Sequence, residues 1–411
     1  MTEDRGRRGR LAPERGRLGG RFGAARTLIV ALAVALATAL APATATAFNP
    51  LYTRGMWIWE LSNSNGGSLS SIIAQAHRHG VNTLMIKSGD GTNTWSQFSS
   101  SLVSTLHRHG IHVCGWQYVY GNSPATEAHV GAAAVRDGAD CLLIDAESEY
   151  EGKYISAQTY ISTLRRLIGS RFPVGLAGFP YVDYHPSFPY SVFMGPGGAQ
   201  YNVPQMYWVD IGTSTDRVYA HTWVFNRIYR RTIIPLGQVY NSPSAHDIVR
   251  FRELSLTYRS PGVSWWDWQE ASGGAWGALS LPINSLHGYD PDYAYASLGS
   301  GAQGDLVVWA QEHLVGAGYR ISIDGGYGAQ TRSAVRRFQS ARHLGVDGVI
   351  GPVTWSVLLR YPTAHVHWAK DAARVALAAS GGTQPLPKSA HLRAKHNELR
   401  GAPGRGRPTH H

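Results

Sequence analysis

Three carboxylates stand at every second position where an apolar run ends. The run covers residues 141–144, and Asp145, Glu147 and Glu149 follow it. Because strand side chains alternate between faces, these three share a face while the backbone stays extended, with alternate residues about 6.6 Å apart. Carboxylates this close repel, so the pKa of one rises and that group keeps its proton near neutral pH. A proton donor beside an ionised carboxylate is the pair that glycoside hydrolysis requires.

A solvated acidic loop would show the same spacing, so the interpretation depends on the elements around the acids. His-Arg-His-Gly occurs at 77–80 and 107–110, each time directly before an apolar run. Glycine suits the left-handed residue that closes a helix, and cationic side chains in the last turn complement the helix dipole. Neighbouring helical positions do not converge on one ion, so the triplets predict helix ends rather than metal ligands. We expect no metal and no cofactor.

The apolar runs predict eight strands, at 54–61, 81–87, 111–120, 141–145, 174–181, 203–208, 233–240 and 263–269. Helices fit between the later strands, at about 155–169, 186–198, 215–230 and 245–259. Eight strand–helix units in roughly 230 residues predict an α/β fold, the closed (β/α)₈ TIM barrel, at 48–278. The active site of that fold lies at the carboxyl ends of the strands, where the acids of the fourth strand fall.

Other strand ends carry side chains that suit a sugar ring. Sugars combine apolar faces with hydroxyl edges, so aromatic rings beside amides and acids bind them. With Glu149, the predicted substrate-binding residues are Trp59, Glu60, Lys87, Trp116, Tyr118, Gln205, Tyr207, Trp208, Asp267 and Gln269. Core packing explains part of these aromatics, and their concentration at strand ends is what indicates a ligand.

A smaller all-α domain is predicted at 298–360, after a linker at 279–297 without a clear period. Amphipathic stretches at 306–317, 331–341 and 352–359 predict three helices. Two matching loops lie between them, Asp-Gly-Gly-Tyr-Gly and Asp-Gly-Val-Ile-Gly, each with a turn followed by a glycine before the next helix.

This pattern resembles the three-helix peptidoglycan-binding domain over about 60 residues. The matching positions are Val308, Trp309, Ala310, Gln311, Gly318, Tyr319, Asp324, Gly325, Tyr327, Gly328, Thr331, Ala334, Val335, Phe338, Gln339, Asp347, Gly348, Gly351, Thr354 and Trp355. The resemblance implies binding of wall glycopeptide around the two loops, through Asp324, Gly325, Tyr327, Gly328, Asp347, Gly348, Gly351 and Trp355. It also implies that most of the matched residues form the core.

The predicted barrel resembles the family 25 glycoside hydrolases, barrel-type lysozymes that cut peptidoglycan. The matches are Asp145-x-Glu147, the Gln205 and Tyr207 cluster, and a strand eight rich in Trp and Gln. The resemblance implies that Glu147 is the general acid and that Asp145 stabilises the positive charge developing on the sugar. Family members carry an Asp in the first strand, where this chain has Trp-Ile-Trp-Glu, so either Glu60 substitutes or the site is altered.

The net charge of +11 is confined to the two ends of the chain. Residues 1–47 carry +5 and residues 361–411 carry +6, so residues 48–360 are neutral and a nucleic-acid-binding face is not expected. The basic tail at 361–411 is predicted to be mostly disordered, with a short helix near 368–379. Attachment to anionic wall polymers and a purely solubilising role both stay open for this tail.

Residues 27–40 form a run without charge, and Ala-Thr-Ala at 45–47 fits a cleavage site. This predicts a signal peptide at 1–47 and a secreted, cell-wall-associated bacterial protein, with an uncleaved membrane anchor as the alternative. Cys114 and Cys141 fall in neighbouring strands. Two buried thiols are the favoured interpretation, with a disulfide as the alternative.

Together these features predict an exported, monomeric glycoside hydrolase that cuts peptidoglycan. The alternative is a non-catalytic wall-binding protein with a degenerate sugar-binding barrel. The missing first-strand Asp favours the alternative, and the Asp145 and Glu147 pair favours the enzyme. A peptidase or amidase is disfavoured, because the sequence shows neither a grouping with metal-ligand spacing nor a nucleophile elbow.

Overall fold

The structure is a computed structural model that describes residues 49–368. Within that range the N-terminal part contains eight parallel strands. They are β1 (Arg54–Ile58), β2 (Thr83–Asp90), β3 (His112–Val119), β4 (Cys141–Ala146), β5 (Val174–Ala177), β6 (Tyr201–Asn202), β7 (Thr232–Ile233 and Leu236–Gln238) and β8 (Val263–Trp266).

The eight strands close into a ring. Each strand pairs in parallel with the next along the chain, from β1 through β6. The first part of β7 pairs with β6, and the second part pairs with β8. The ring closes because β8 pairs with β1, with Trp265 opposite Met56. This ladder confirms the predicted (β/α)₈ barrel.

Several strands are shorter than the sequence predicts, and the sixth and seventh are interrupted by proline. The sixth strand was expected at 203–208, but β6 ends at Asn202 and a helical turn begins at Trp208. Pro204 lies in the gap, and Pro235 separates the two parts of β7. Proline has no N–H to donate to a ladder, so the pairing is interrupted at both positions.

Helices pack around the barrel and their ends follow local sequence signals. Ser68, Ser99, Ser214, Ser244 and Ser272 each accept a hydrogen bond from a backbone N–H in the first turn of the following helix. The helices are α1 (Leu69–Arg78), α2 (Ser100–Arg108), α3 (Pro124–Arg136), α4 (Tyr154–Ile168), α5 (Tyr190–Phe193), α6 (Trp208–Ile211), α7 (Thr215–Asn226), α8 (Ala245–Thr257) and α9 (Gly273–Ser280).

The two His-Arg-His-Gly sequences close α1 and α2. Gly80 and Gly110 follow the helix ends with φ of 64° and 71°, which only glycine adopts without strain. Within residues 49–368 there is no group of three His, Cys, Asp or Glu side chains that could hold a metal ion. In the same range, no helix is long and apolar enough to cross a membrane.

The sequence favoured two free thiols, and the structure corrects this. Cys114 of β3 and Cys141 of β4 form a disulfide, with Cα atoms 4.5 Å apart. The two residues lie directly opposite in the parallel register, and both belong to the cluster that fills the barrel interior. Their side chains therefore point the same way from neighbouring strands, which brings the two sulfurs together.

The C-terminal domain is a three-helix unit that packs on the barrel. Its helices are α10 (Asp305–Gly316), α11 (Ala329–Ala341) and α12 (Pro352–Leu358). The indole nitrogen of Trp309 donates to the Ile228 carbonyl oxygen at 2.9 Å, and that of Trp355 donates to the Ala296 carbonyl oxygen at 2.8 Å. Buried side chains thus fix the domain to the barrel and to the segment that joins them.

The beginning of the predicted tail is also packed. Trp368 is buried, and its ring lies 4.5 Å from that of Tyr154 at the start of α4. The first residues of the tail predicted at 361–411 are therefore held against the barrel. The predicted signal peptide and the rest of the basic tail, from residue 369, lie outside the described residues.

Candidate active site

Asp145 and Glu147 come together at the carboxyl end of β4. Asp145 is the last residue but one of the strand, and Glu147 directly precedes the 3₁₀ turn Ser148–Tyr150. The side-chain nitrogen of Gln205 lies 3.0 Å from Asp145 Oδ1 and 3.0 Å from Glu147 Oε1. Both amide hydrogens are therefore donated, one to each carboxylate.

The electrostatics of this pair favour a retained proton. Asp145 is buried, and burial raises the pKa of its carboxyl well above the usual value. The negative charge of Glu147 raises that pKa further, while the ammonium group of Lys87 opposes the shift. Glu147 is only half-buried. The site thus contains a shielded carboxyl that holds a proton beside a more accessible one.

Tyr118 lies beside Asp145 on the neighbouring strand β3. Its hydroxyl donates to Glu149 Oε2 at 2.7 Å. Burial raises the pKa of Tyr118 far above its usual range, and the charges of Glu147 and Glu149 add to the shift. The phenol therefore stays protonated and acts as a donor. The third acid of the motif is held against β3 by this bond.

Lys87 lies at the end of β2 inside a cage of tryptophans. Its ammonium nitrogen is 4.6 Å from the ring centre of Trp95 and 4.7 Å from that of Trp116. The same nitrogen pairs with Asp90 Oδ2 at 2.7 Å, and Tyr120 donates to the other Asp90 oxygen at 2.8 Å. Trp59, whose ring centre is 6.0 Å from the ammonium, forms the outer side of the cage.

Sequence reasoning did not assign Asp90 or Trp95 to the site. Asp90 follows Lys87 by three residues at the end of the same strand, and that spacing was the available signal. Trp95 lies beyond the short strand Asn93–Thr94, which folds back on β2. Nothing in the periodicity of the sequence indicates this hairpin.

Glu127 is a buried carboxylate that was also missed. It accepts hydrogen bonds from the backbone N–H groups of Tyr120, Gly121, Asn122 and Ser123, at 3.0 to 3.1 Å. It lies in the first turn of α3, where an acidic side chain satisfies N–H groups that lack partners within the helix. Glu127 thereby fixes the loop that carries Tyr120 over the site.

The opposite wall of the barrel mouth is aromatic. Trp57, Trp116 and Trp266 have ring centres 5.4 to 5.9 Å apart. Tyr207 is buried, its ring lies 5.5 Å from that of Tyr240, and burial raises its pKa well above the usual value. These residues form a rigid apolar surface beside the carboxylates.

The residues predicted at the first and eighth strands lie around this wall. Glu60 lies beyond β1, and its carboxylate accepts from Asn63. The side-chain oxygen of Gln269 accepts from the backbone N–H of Trp59 at 3.1 Å. Asp267 is completely buried. The structure therefore gives Gln269 and Glu60 local partners that shape the rim of the barrel.

Two of the predicted binding residues are core residues instead. Trp208 belongs to the layer between strands and helices, where its ring stacks on Phe251 of α8 at 5.1 Å. Trp355 is completely buried in the small domain. Trp208 was predicted from the aromatic cluster at the end of strand six, and Trp355 from the resemblance to the peptidoglycan-binding domain. Helix packing accounts for their positions.

The two Asp-Gly loops of the small domain are built alike. Asp324 Oδ1 accepts from the side-chain nitrogen of Gln311 at 2.8 Å, and Asp347 Oδ1 accepts from that of Gln339 at 2.7 Å. Each Asp also accepts from a backbone N–H two residues ahead. The Oδ1 atom of each Asp therefore holds its own loop, and the predicted binding role of the two side chains stays a prediction.

The other predicted positions of the loops differ in exposure. Gly325 and Gly348 adopt φ of 74° and 75° in the turns and are buried, whereas Gly328, directly before α11, is exposed and Gly351, directly before α12, is half-buried. The Tyr327 hydroxyl donates to the Gly348 carbonyl oxygen at 3.0 Å, so the two loops contact each other. Tyr327 and Gly328 of the first loop line a groove described below.

Residues 303–358 match the family model of a peptidoglycan binding domain. A zinc D-Ala-D-Ala carboxypeptidase of Streptomyces albus G is 40% identical over 63 residues, which are 15% of this chain and 25% of that protein. The chain thus spans about a quarter of the length of this relative. The match confirms a peptidoglycan-binding domain at the predicted position.

Solved structures similar to the barrel share little sequence with it. A chitinase of Chromobacterium violaceum is 10% identical, covering 55% of this chain and 97% of its own, with a TM-score of 0.43. The spore cortex-lytic enzyme SleL of Bacillus megaterium is 8% identical, covering 57% of this chain and 75% of its own, with a TM-score of 0.43.

Proposed function

We propose that this protein is an exported cell-wall hydrolase that cuts the glycan strands of peptidoglycan. The observation that carries the proposal is the pair of carboxyl groups on Asp145 and Glu147, joined by the Gln205 amide at the carboxyl end of β4. In a (β/α)₈ barrel this is the position of catalytic groups. The raised pKa of Asp145 supplies a proton that stays on the pair near neutral pH.

In this proposal the proton that Asp145 holds at rest passes to Glu147, the more accessible member of the pair, which acts as the general acid. Asp145 is then ionised. Glu147 donates its proton to the glycosidic oxygen as the bond between that oxygen and the sugar carbon breaks. Asp145 stabilises the positive charge that develops on the sugar, through the 2-acetamido group of the substrate. Water then adds to the sugar carbon and returns a proton to Glu147.

The surrounding side chains fit a sugar substrate. Tyr118 and Tyr207 keep their hydroxyl protons, since burial raises the pKa of both. The half-buried Trp266, packed on the buried rings of Trp57 and Trp116, offers a flat apolar face to a sugar ring. The peptidoglycan-binding domain adds a second attachment to the same insoluble polymer, which raises the effective concentration of substrate at the barrel.

A wall-binding barrel without activity is the alternative. It is favoured by Trp57, whose buried ring fills the interior near the end of β1. The family 25 hydrolases that the barrel resembles carry an Asp in this strand. In a barrel without activity, Asp145 and Glu147 would bind sugar hydroxyls without transferring a proton.

The test is release of reducing sugar ends from purified peptidoglycan by residues 48–411, beside Glu147→Gln. We expect activity in the parent protein and a loss of more than about a hundredfold in the variant, as for removal of a general acid. Glu253→Gln on α8 is the matched control and should retain full activity. Binding without release of sugar ends in all three proteins would exclude the hydrolase and support the alternative.

A further inference from the structure

The peptidoglycan-binding domain has a groove whose charge is unlike that of the barrel site. The groove has a volume of about 940 Å³ and lies between the N-terminal half of α11 and the segments around Gln303 and Tyr327. Arg332, Arg336 and Arg337 line it, and the described residues that line it include no carboxylate. The arginines therefore give the groove a positive lining, with the Arg337 guanidinium carbon 5.7 Å from the ring centre of Tyr319.

Two of the arginines are held side by side by the loop at Gly348. Arg332 and Arg336 are one helical turn apart on α11 and therefore project from the same face. A Cβ atom on Gly348 would lie 3.0 Å from the Cγ atom of each arginine. Because this glycine lacks a side chain, both arginine stems lie against its backbone. The Tyr327 hydroxyl, bonded to the Gly348 carbonyl, keeps that backbone in place.

Such a groove suits an anion with planar oxygens. Guanidinium groups match carboxylates in shape and donate two parallel hydrogen bonds to them. The backbone sugars of peptidoglycan carry no free acid, whereas its stem peptides end in carboxylates and carry them on side chains. We propose that the three-arginine groove binds the carboxylates of peptidoglycan stem peptides, while the barrel receives the glycan of the same polymer.

The groove is fixed to the rim of the barrel. Asp305, at the start of α10, is completely buried and accepts hydrogen bonds from the Ser191 backbone N–H at 2.8 Å and from the Tyr229 hydroxyl at 2.7 Å. Its own N–H donates to the Pro186 carbonyl oxygen at 2.7 Å. The neighbouring Gly304 donates to the Gly325 carbonyl at 2.9 Å, directly beside the groove. Peptide and glycan would thus be held at a set separation.

This inference rests on the proposed function only because it takes peptidoglycan as the ligand. A binding measurement with a protein that does not cut the polymer tests it. The test protein is Glu147→Gln, residues 48–411, with Arg332→Gln and Arg336→Gln added. The matched control replaces the exposed Arg320 and Arg360, which lie outside the groove, so that both proteins lose two positive charges. A third protein carries Lys at 332 and 336 to keep the charge, and thermal unfolding verifies that all are folded.

Binding is measured by sedimentation with peptidoglycan freed of phosphate polymers, the same material with its carboxylates converted to amides, and glycan stripped of peptides. We expect the groove variant to bind intact peptidoglycan at least about tenfold more weakly, since charge-assisted hydrogen bonds are lost. The control should bind normally and the lysine protein should regain part of the affinity. Amidation should weaken binding of the unmodified groove to a similar extent.

Equal binding by the groove variant and the control would overturn the proposal. So would undiminished binding to amidated material, or binding only to walls that retain their phosphate polymers. Failure of hydrolysis is a separate outcome, because release of sugar ends by protein with Glu147 intact is measured on peptide-free glycan.

Discussion

The side-chain nitrogen of Gln205 lies 3.0 Å from Asp145 Oδ1 across the mouth of the barrel. The same nitrogen is 3.0 Å from Glu147 Oε1, so one amide sets the relative position of two carboxyl groups. Because both amide hydrogens are donated, each of these oxygens acts as an acceptor. The proton that the raised pKa of Asp145 retains must therefore sit on the other oxygen of the carboxyl.

Replacing Gln205 should lower turnover more than substrate affinity. In Gln205→Ala the two carboxyl groups lose their common donor and their fixed orientation, and we expect kcat to fall about 10- to 100-fold with a small change in KM. Gln205→Glu should be less active still, because it adds a third negative charge beside Asp145. Steady-state release of sugar ends measures both, and parental activity in either variant would contradict this role.

The pH–rate profile should report the interaction between the two acids. Burial and the charge of Glu147 raise the pKa of Asp145, so the pair loses its last proton at a higher pH than a single carboxyl would. Asp145→Asn removes one of the two titrating carboxyls from the pair. We expect the residual activity to lose its alkaline limb about one pH unit lower than the parent. An unmoved limb would mean that the two groups titrate independently.

Lys87 should shift the same limb in the opposite direction. Its positive charge lowers the pKa of Asp145, so Lys87→Met lets that pKa rise and moves the alkaline limb to higher pH. The variant also removes the cation that pairs with Asp90, which should cost about 1–3 kcal/mol of stability. The pH–rate profiles of Asp145→Asn and Lys87→Met are measured on one substrate preparation. Shifts of the alkaline limb in the same direction would contradict the assigned effects of the two charges.

Asp305 should make the stability of the protein depend on pH. Burial raises the pKa of this carboxyl to about 6, above its ordinary value. The protonated carboxyl therefore adds about 3 kcal/mol to the free energy of unfolding. This stabilisation is fully present below the unfolded pKa near 4, and it is lost as pH rises through about 6. Asp305→Asn lacks this titration, although it weakens the bonds to Ser191 and Tyr229.

We expect the stability advantage of the parent over Asp305→Asn to shrink between pH 4 and pH 7. Urea unfolding at several pH values measures it. The buried Glu312, whose pKa is raised by burial and by the charge of Asp305, is present in both proteins, so only its burial contribution cancels in the difference. Parallel pH dependences in the two proteins would show that Asp305 does not titrate in this range.

Local patterns in the sequence predicted the barrel and the position of Asp145 and Glu147. The helix-closing glycines and short apolar runs are local signals, and the order of eight such units leaves few alternatives to a closed ring. The convergence of Gln205 on the acids was predictable in the same way, because the ends of parallel strands meet at one rim. The peptidoglycan-binding domain was recognisable from fixed spacings around its two Asp-Gly loops.

Other features depend on contacts between distant residues and have no local signal. The Lys87 cage needs Trp95, which a hairpin brings back to β2. Trp208 resembled a ligand contact until its packing on α8 was known. The docking of the small domain through Asp305 likewise joins residues more than a hundred positions apart. Sequence patterns assign residues to helices and strands, whereas contacts between residues far apart in the sequence depend on how those helices and strands pack.

The disulfide between Cys114 and Cys141 ties the strand that carries Asp145 to its neighbour. Disulfides persist in oxidising surroundings and are reduced in the cytosol. A bond that closes a loop of this length, with the cysteines 27 residues apart, contributes on the order of 3 kcal/mol. If the chain is exported as proposed, its fold is less stable before export than after it, and the strand bearing the acids gains its full stability only in oxidising surroundings.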